Sequence, residues 1–224
     1  MIGEGLARVR ERIEGAAGRA GRDPERITLI GVSKTMPAEA IRQAHAAGLR
    51  HFGENYLQEF QAKRLELGEL PGAVFHMIGH LQSNKARPAA EAFDVVQTVD
   101  TARLAHRLDE AGKPLDVLIE VKLSAEATKS GVAEAQLGEL LAMVRGHAHL
   151  RLRGLMGMPP WPKNPEDSRP YFRRLRALAE RHGLAEISMG MSGDFEVAIE
   201  EGATMVRVGT AIFGPRTRRT EGAG

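Results

Sequence analysis

The chain has 224 residues, 42% hydrophobic and 27% charged, a balance that excludes disordered and fibrous classes. Lys and Arg number 31 against 29 Asp and Glu, and a formal charge of +2 gives no ground for a nucleic-acid or membrane surface. Cysteine is absent, which removes disulfides, thiolate nucleophiles and cysteine zinc sites.

In chain order, residues 1–22 read as a helix that is expected to cover one end of the fold. This stretch carries Glu4, Glu11 and Glu14 rather than the apolar segment of a signal peptide. No run anywhere approaches the roughly 18 apolar residues of a membrane span, so a cytoplasmic protein is expected. A strand over 27–33 leads to a helix over 37–47, where Ala40, Ile41, Ala44 and Ala47 recur at helical spacing and Pro37 suits the first turn. Strand 51–53 precedes helix 56–67, and strands 74–78 and 94–98 follow with no helix assigned between them. Helix 101–111, strand 115–122, helix 133–145, strand 150–156 and helix 165–182 come next, then strand 186–189, helix 194–201 and a last strand over 204–208. Gly48, Gly112, Gly183 and Gly202 fall where helices stop and turn back. About eight strand–helix units without a linker predict a single α/β domain over 1–224, a (β/α)₈ TIM-type barrel. Its core would be 27–214, with the N-terminal helix before it and a polar tail over 215–224. Periodicity alone leaves an open doubly wound sheet as the alternative.

Barrels of this kind carry their chemistry in the loops after the strands. The first strand reads ITLIGVSKT and ends in Lys34. Apolar surroundings favour a neutral amine that can attack a carbonyl and form a Schiff base, although a strand-end lysine can equally reach into solvent. Of seven lysines only Lys34 and Lys122 lie near the end of an expected strand. After the seventh strand, SMGMSGDF offers Gly190, Gly193 and the Ser192 hydroxyl before a helix start; after the eighth, RVGTAIFG repeats the pattern with Gly209 and Thr210. Bare backbone beside hydroxyls makes an anion site, and barrels often bind phosphate after their last two strands. Ordinary glycine turns are the competing reading. A lysine poised for a carbonyl opposite a phosphate cradle describes a phosphorylated aldehyde.

GVSKT (31–35), FGENYLQE (52–59), HMIGHLQSNK (76–85), GLMGMPP (154–160), SMGMSGDFEVAI (188–199) and GATMVRVGTAIFG (202–214) resemble, in order, the motifs of the pyridoxal phosphate homeostasis protein family. That family is similar to the N-terminal barrel of alanine racemase standing alone. The resemblance implies that Lys34 carries pyridoxal 5'-phosphate covalently, as an aldimine, and that Ser192, Gly209 and Thr210 hold its phosphate. By similarity to the racemase barrel, Arg207 would face the pyridine nitrogen. Asn55 is expected to line the pocket as a hydrogen-bonding residue, unless it caps a turn; His80 is expected as a pocket wall and Met191 as pocket filler. Three departures from the family pattern are Phe75 in place of tryptophan, Gly157 in place of threonine or alanine, and Gly193, which loosens the loop after MGMS; none removes a ligand group.

His76 and His80 straddle a strand end, so no helical metal pair is read there. Arg173, Arg174 and Arg176 on a helix, and Arg216, Arg218 and Arg219 in the tail, read as solvated surface. Three functions share the lysine. A racemase needs acid/base groups on both faces of the substrate carbon, one of them in alanine racemase a tyrosine from a second domain, and the sequence ending at Gly224 is expected to lack that domain. A sugar-phosphate aldolase would carry its lysine on the sixth strand, where LRLRGLMGM has none. Together with the family resemblance, these absences imply a monomeric cofactor carrier in pyridoxal phosphate homeostasis, with apo-enzymes that use the cofactor as partners; a small amino-acid racemase is the alternative.

Overall fold

Strands separated by helices return to the same end of a sheet each time, so they can pair only in parallel. The computed structural model describes residues 1–124, 130–161 and 163–214; the expected polar tail lies outside them. Within it, β1 (Thr28–Val32), β2 (His51–Glu54), β3 (Val74–Met77), β4 (Val95–Val99), β5 (Leu115–Val121), β6 (Leu150–Gly157), β7 (Glu186–Ser188) and β8 (Met205–Val208) form a closed barrel in chain order. Closure runs through β1 and β8, where Ile30 stands beside Arg207. Outside lie α1 (Ile2–Arg19), α2 (Ala38–Ala46), α3 (Leu57–Leu67), α4 (Ala86–Ala92), α5 (Ala102–Asp109), α6 (Glu134–Arg145), α7 (Arg169–Arg181), α8 (Phe195–Glu200) and α9 (Thr210–Phe213). The barrel reading is correct, and the open sheet is excluded.

Three details differ from expectation. The helix α4, alanine-rich and only seven residues long, has no counterpart among the elements expected from the sequence, because ARPAAEA shows no strong apolar stripe. The stretch 165–182 is a short 3₁₀ turn, Pro165–Ser168, followed by α7. The N-terminal helix α1 does not cover an end of the barrel but joins the outer ring, packed on α2, α8 and α9. Since α9 has only four residues, it cannot shield β8 and β1. The buried stripe Leu6, Val9, Ile13, Ala16 and Ala17 of α1 packs onto α9 and its neighbours α8 and α2 on this side of the ring.

Side-chain alternation splits the apolar residues into two clusters. The larger lies between sheet and helices and includes Phe52, Phe60, Phe75 and Phe93, whose adjacent ring centroids are 4.6–5.5 Å apart. Each buried ring contributes roughly 1.5–3 kcal/mol. The smaller, Val95, Leu118 and Met156 with Val74, Met158 and Met205, fills part of the barrel interior. The same inward alternation carries His76, Gln97, Ser188 and Arg207, all buried. A polar interior of this kind is tolerable only if its members bond to one another.

Candidate functional site

Lys34 follows β1 at a turn braced from α3. The Ser33 hydroxyl donates to Glu54 Oε1 (2.8 Å), and the buried Lys63 ammonium donates to Ser33 O (2.9 Å) and Glu54 Oε1 (2.6 Å). Lys63 also pairs with Glu59 (2.8 Å), which accepts from the Thr35 N–H (2.5 Å). Thr35 has φ 64°, the left-handed region that a β-branched residue adopts only when its surroundings hold it there. Burial pushes the Glu54 carboxyl above its ordinary range; Lys63 and the Ser33 hydroxyl oppose that shift.

The loop after β7 is held by Asp194, whose Oδ1 accepts from the Met191 N–H (2.7 Å) and whose Oδ2 accepts from the Ser168 hydroxyl (2.8 Å). Gly190 has φ 88°, and a Cβ there would stand 2.9 Å from Phe195 Cα, so the loop needs glycine at this point. Ser192 Oγ accepts from the Gly209 N–H (3.2 Å), which ties the loops after β7 and β8 together. Arg207 donates from Nη1 to Ser188 Oγ (2.7 Å) and from Nη2 to Gly157 O (3.1 Å). Burial lowers the Arg207 pKa to about 10, with Glu120 and Asp194 opposing, so the guanidinium remains charged at neutral pH.

These elements enclose a cavity of about 200 Å³ at the C-terminal mouth of the barrel. Its lining includes Lys34, Asn55, Met191, Ser192, Arg207, Gly209 and Thr210, seven of the eight residues expected from the sequence. Asn55 Oδ1 is buried there without a hydrogen-bond partner. His80 differs: it is exposed after β3 and outside this lining; Lys122, half-buried after β5, is outside it too. Trp161, 80% exposed, stands at the rim. The remaining surface readings are simpler. Arg173, Arg174 and Arg176 lie on the outside of α7, paired with Glu201, Glu134 and Glu180. Among the described residues no cluster of three His, Asp or Glu could hold a metal ion, and no helix is long and apolar enough to cross a membrane.

Sequence reasoning missed Lys63, Glu54, Gln97, Ser188 and Glu120. Glu120 is buried on β5, bonded to the Ser130 hydroxyl (3.0 Å), and burial raises its carboxyl pKa. A signal was present: an ionisable or amide side chain interrupts each apolar strand, in HFGE, VVQTV and LDVLIEV.

The fold and this mouth define a class, the alanine racemase N-terminal domain, whose family model matches residues 6–217. An alanine racemase from Corynebacterium glutamicum shares the fold at TM-score 0.70 and 21% identity over 97% of this chain and 63% of its own. A "Pyridoxal phosphate homeostasis protein" of Pseudomonas aeruginosa is 51% identical over 221 residues, 96% of each chain. Its Escherichia coli K12 counterpart is 47% identical over 226 residues, covering 96% of this chain and 97% of its own. The chain belongs to the pyridoxal phosphate homeostasis protein family. The structure of PipY from Synechococcus elongatus, solved with PLP bound, matches at TM-score 0.85 and 40% identity over 96% of this chain and all of PipY.

Proposed function

We propose that the cavity binds pyridoxal 5'-phosphate, held covalently by Lys34, and that the protein serves cofactor supply and homeostasis rather than strong catalysis. One observation carries this reading: a single cavity joins an amine, a buried guanidinium and a hydroxyl-rich glycine loop pair. Those are partners for an aldehyde, a ring nitrogen and a phosphate, the three groups the cofactor presents. The unpartnered Asn55 Oδ1 fits as well, since it offers an acceptor to a ligand donor. The PLP-bound PipY structure and the names of the relatives support the same ligand.

The Lys34 amine would hold the carbonyl carbon of the cofactor, with loss of water. Ser192 and Thr210 would hold the phosphate oxygens through their hydroxyls, beside the bare Gly209 backbone whose N–H positions Ser192 Oγ. When bound, the cofactor supplies an electron sink whose strength depends on a protonated ring nitrogen. Arg207 has only donors, so it would leave that nitrogen unprotonated and the sink weak. A racemase needs a second acid/base group opposite the lysine. The cavity lining contains no tyrosine: Tyr56 is exposed outside it, and Tyr171 lies on α7 in the outer ring. This supports a carrier over a small amino-acid racemase. Release to apo-enzymes, a monomeric state and a cytoplasmic setting belong to the same proposal.

The test is a visible absorption spectrum of purified protein with added pyridoxal phosphate, before and after borohydride reduction, with mass mapping of the reduced lysine. The expected label is on Lys34 and disappears in Lys34→Ala. A protein that takes up no pyridoxal phosphate, or a label on Lys122, refutes the assignment.

A further inference from the structure

A second device lies deeper in the barrel. Arg207 Nη1 donates to Ser188 Oγ (2.7 Å), and Ser188 Oγ donates to Gln97 Oε1 (2.6 Å). Gln97 Nε2 lies 3.0 Å from His76 Nδ1, and His76 Nε2 lies 2.9 Å from His51 Nδ1. The chain thus crosses the interior from β8 through β7, β4 and β3 to β2. Ser188, Gln97, His76 and Arg207 are at most 3% exposed, so solvent cannot repair a misdirected hydrogen.

Donor bookkeeping gives the chain one direction. A guanidinium has donors only, so Ser188 Oγ must accept from Arg207, and the hydroxyl proton must go elsewhere. Among the described residues, the acceptor bonded to that hydroxyl is Gln97 Oε1. With its oxygen committed to Ser188, Gln97 presents its NH₂ to His76. His76 Nδ1 therefore accepts, the His76 proton sits on Nε2, and His51 Nδ1 accepts in turn. Turning the amide over reverses every later link but leaves the buried Ser188 proton without an acceptor, a state that burial disfavours. The far end fits: burial and the neighbouring His51 hold the His76 pKa down to about 3, so its ring is neutral. Among the described residues the Arg207 guanidinium has one other hydrogen bond, to Gly157 O, which would leave its plane free to swing if the Ser188 contact were lost.

We propose that Gln97 is a positioning residue for the cavity: through Ser188 it fixes the guanidinium plane of Arg207, and it transmits one hydrogen-bond direction from Arg207 to His51. The identity of what Arg207 faces rests on the pyridoxal phosphate reading; the direction of the chain does not.

Histidine ¹⁵N NMR on the ligand-free full chain reads that direction. Both His76 and His51 are expected as the Nε2–H tautomer at pH 7.5, and Nδ1–H on His76 overturns the assignment. Gln97→Met keeps the volume but removes both bonds. It is expected to mix the His76 tautomers, weaken pyridoxal phosphate roughly tenfold and shift the absorption band of the bound cofactor. Gln97→Glu still accepts from Ser188 and gives His76 Nδ1 an acceptor, so it should bind the cofactor nearly as wild type does while His76 carries two protons. A folded Gln97→Met protein, judged by circular dichroism and melting, that binds with wild-type affinity and absorption overturns the positioning role. If Gln97→Met does not fold, Ser188→Ala is read in the same way. Wild-type protein that takes up no cofactor refutes the cofactor reading and the positioning role together, and the His76 tautomer alone then decides the direction of the chain.

Discussion

Replacing Lys63 by methionine would remove the cation that joins Ser33 O, Glu54 and Glu59 beneath the Lys34 turn. The Glu54 side chain is fully buried and its Oε2 already lacks a partner. Removing one member of such a buried pair costs about 3–5 kcal/mol, whereas the loss at the part-exposed Glu59 is at most about 1 kcal/mol. Glu54 has an escape, because it can take up a proton. Its folded pKa is already raised above the ordinary 4.5 by burial, and without Lys63 it must rise further. A carboxyl with a raised folded pKa contributes its stability below the unfolded value and loses it as pH rises through the folded value. The deficit of Lys63→Met should therefore be largest near pH 8 and shrink toward pH 5, by up to about 1.4 kcal/mol per pH unit. Urea unfolding followed by circular dichroism at both pH values measures it, and Lys63→Met/Glu54→Gln should recover much of the loss. Hydrogen exchange at the Thr35 amide should also quicken, since Glu59 would no longer be anchored beside it. An equal deficit at pH 5 and pH 8, with no recovery in the double variant, would refute this account of the clamp.

Two other outcomes are expected. Ser192→Ala with Thr210→Ala should weaken pyridoxal phosphate far more than unphosphorylated pyridoxal, each lost bond to the phosphate being worth roughly 1.5–3 kcal/mol, or about one to two powers of ten; equal losses in titrations of the two ligands would remove the phosphate assignment. His76 has a folded pKa of about 3 against 6.5 unfolded, so the unfolded chain binds the extra proton and stability should fall as pH drops below 6.5, by up to about 1.4 kcal/mol per unit. The slope should flatten in His76→Leu, and an unchanged slope would show that His76 does not contribute it.

The sequence by itself carried the barrel, because alternating strand and helix periods without a linker leave few ways to bury both faces of a parallel sheet. It also carried most of the cavity, because bare glycine backbone, hydroxyls and a lysine sit directly at strand ends, where chain order alone brings them to one face. His80 shows the limit of that rule, since a position after a strand does not say whether the side chain turns inward or out to solvent. The place of α1 was decided only by the tertiary structure, which left a gap that the four-residue α9 could not fill. The Lys63 clamp joins residues 30 apart in sequence, and the Ser188–Gln97 bond joins residues 91 apart. No local pattern encodes such pairings, because a buried polar group is satisfied by whatever partner barrel closure brings within about 3 Å, and that partner is chosen by register around the whole sheet.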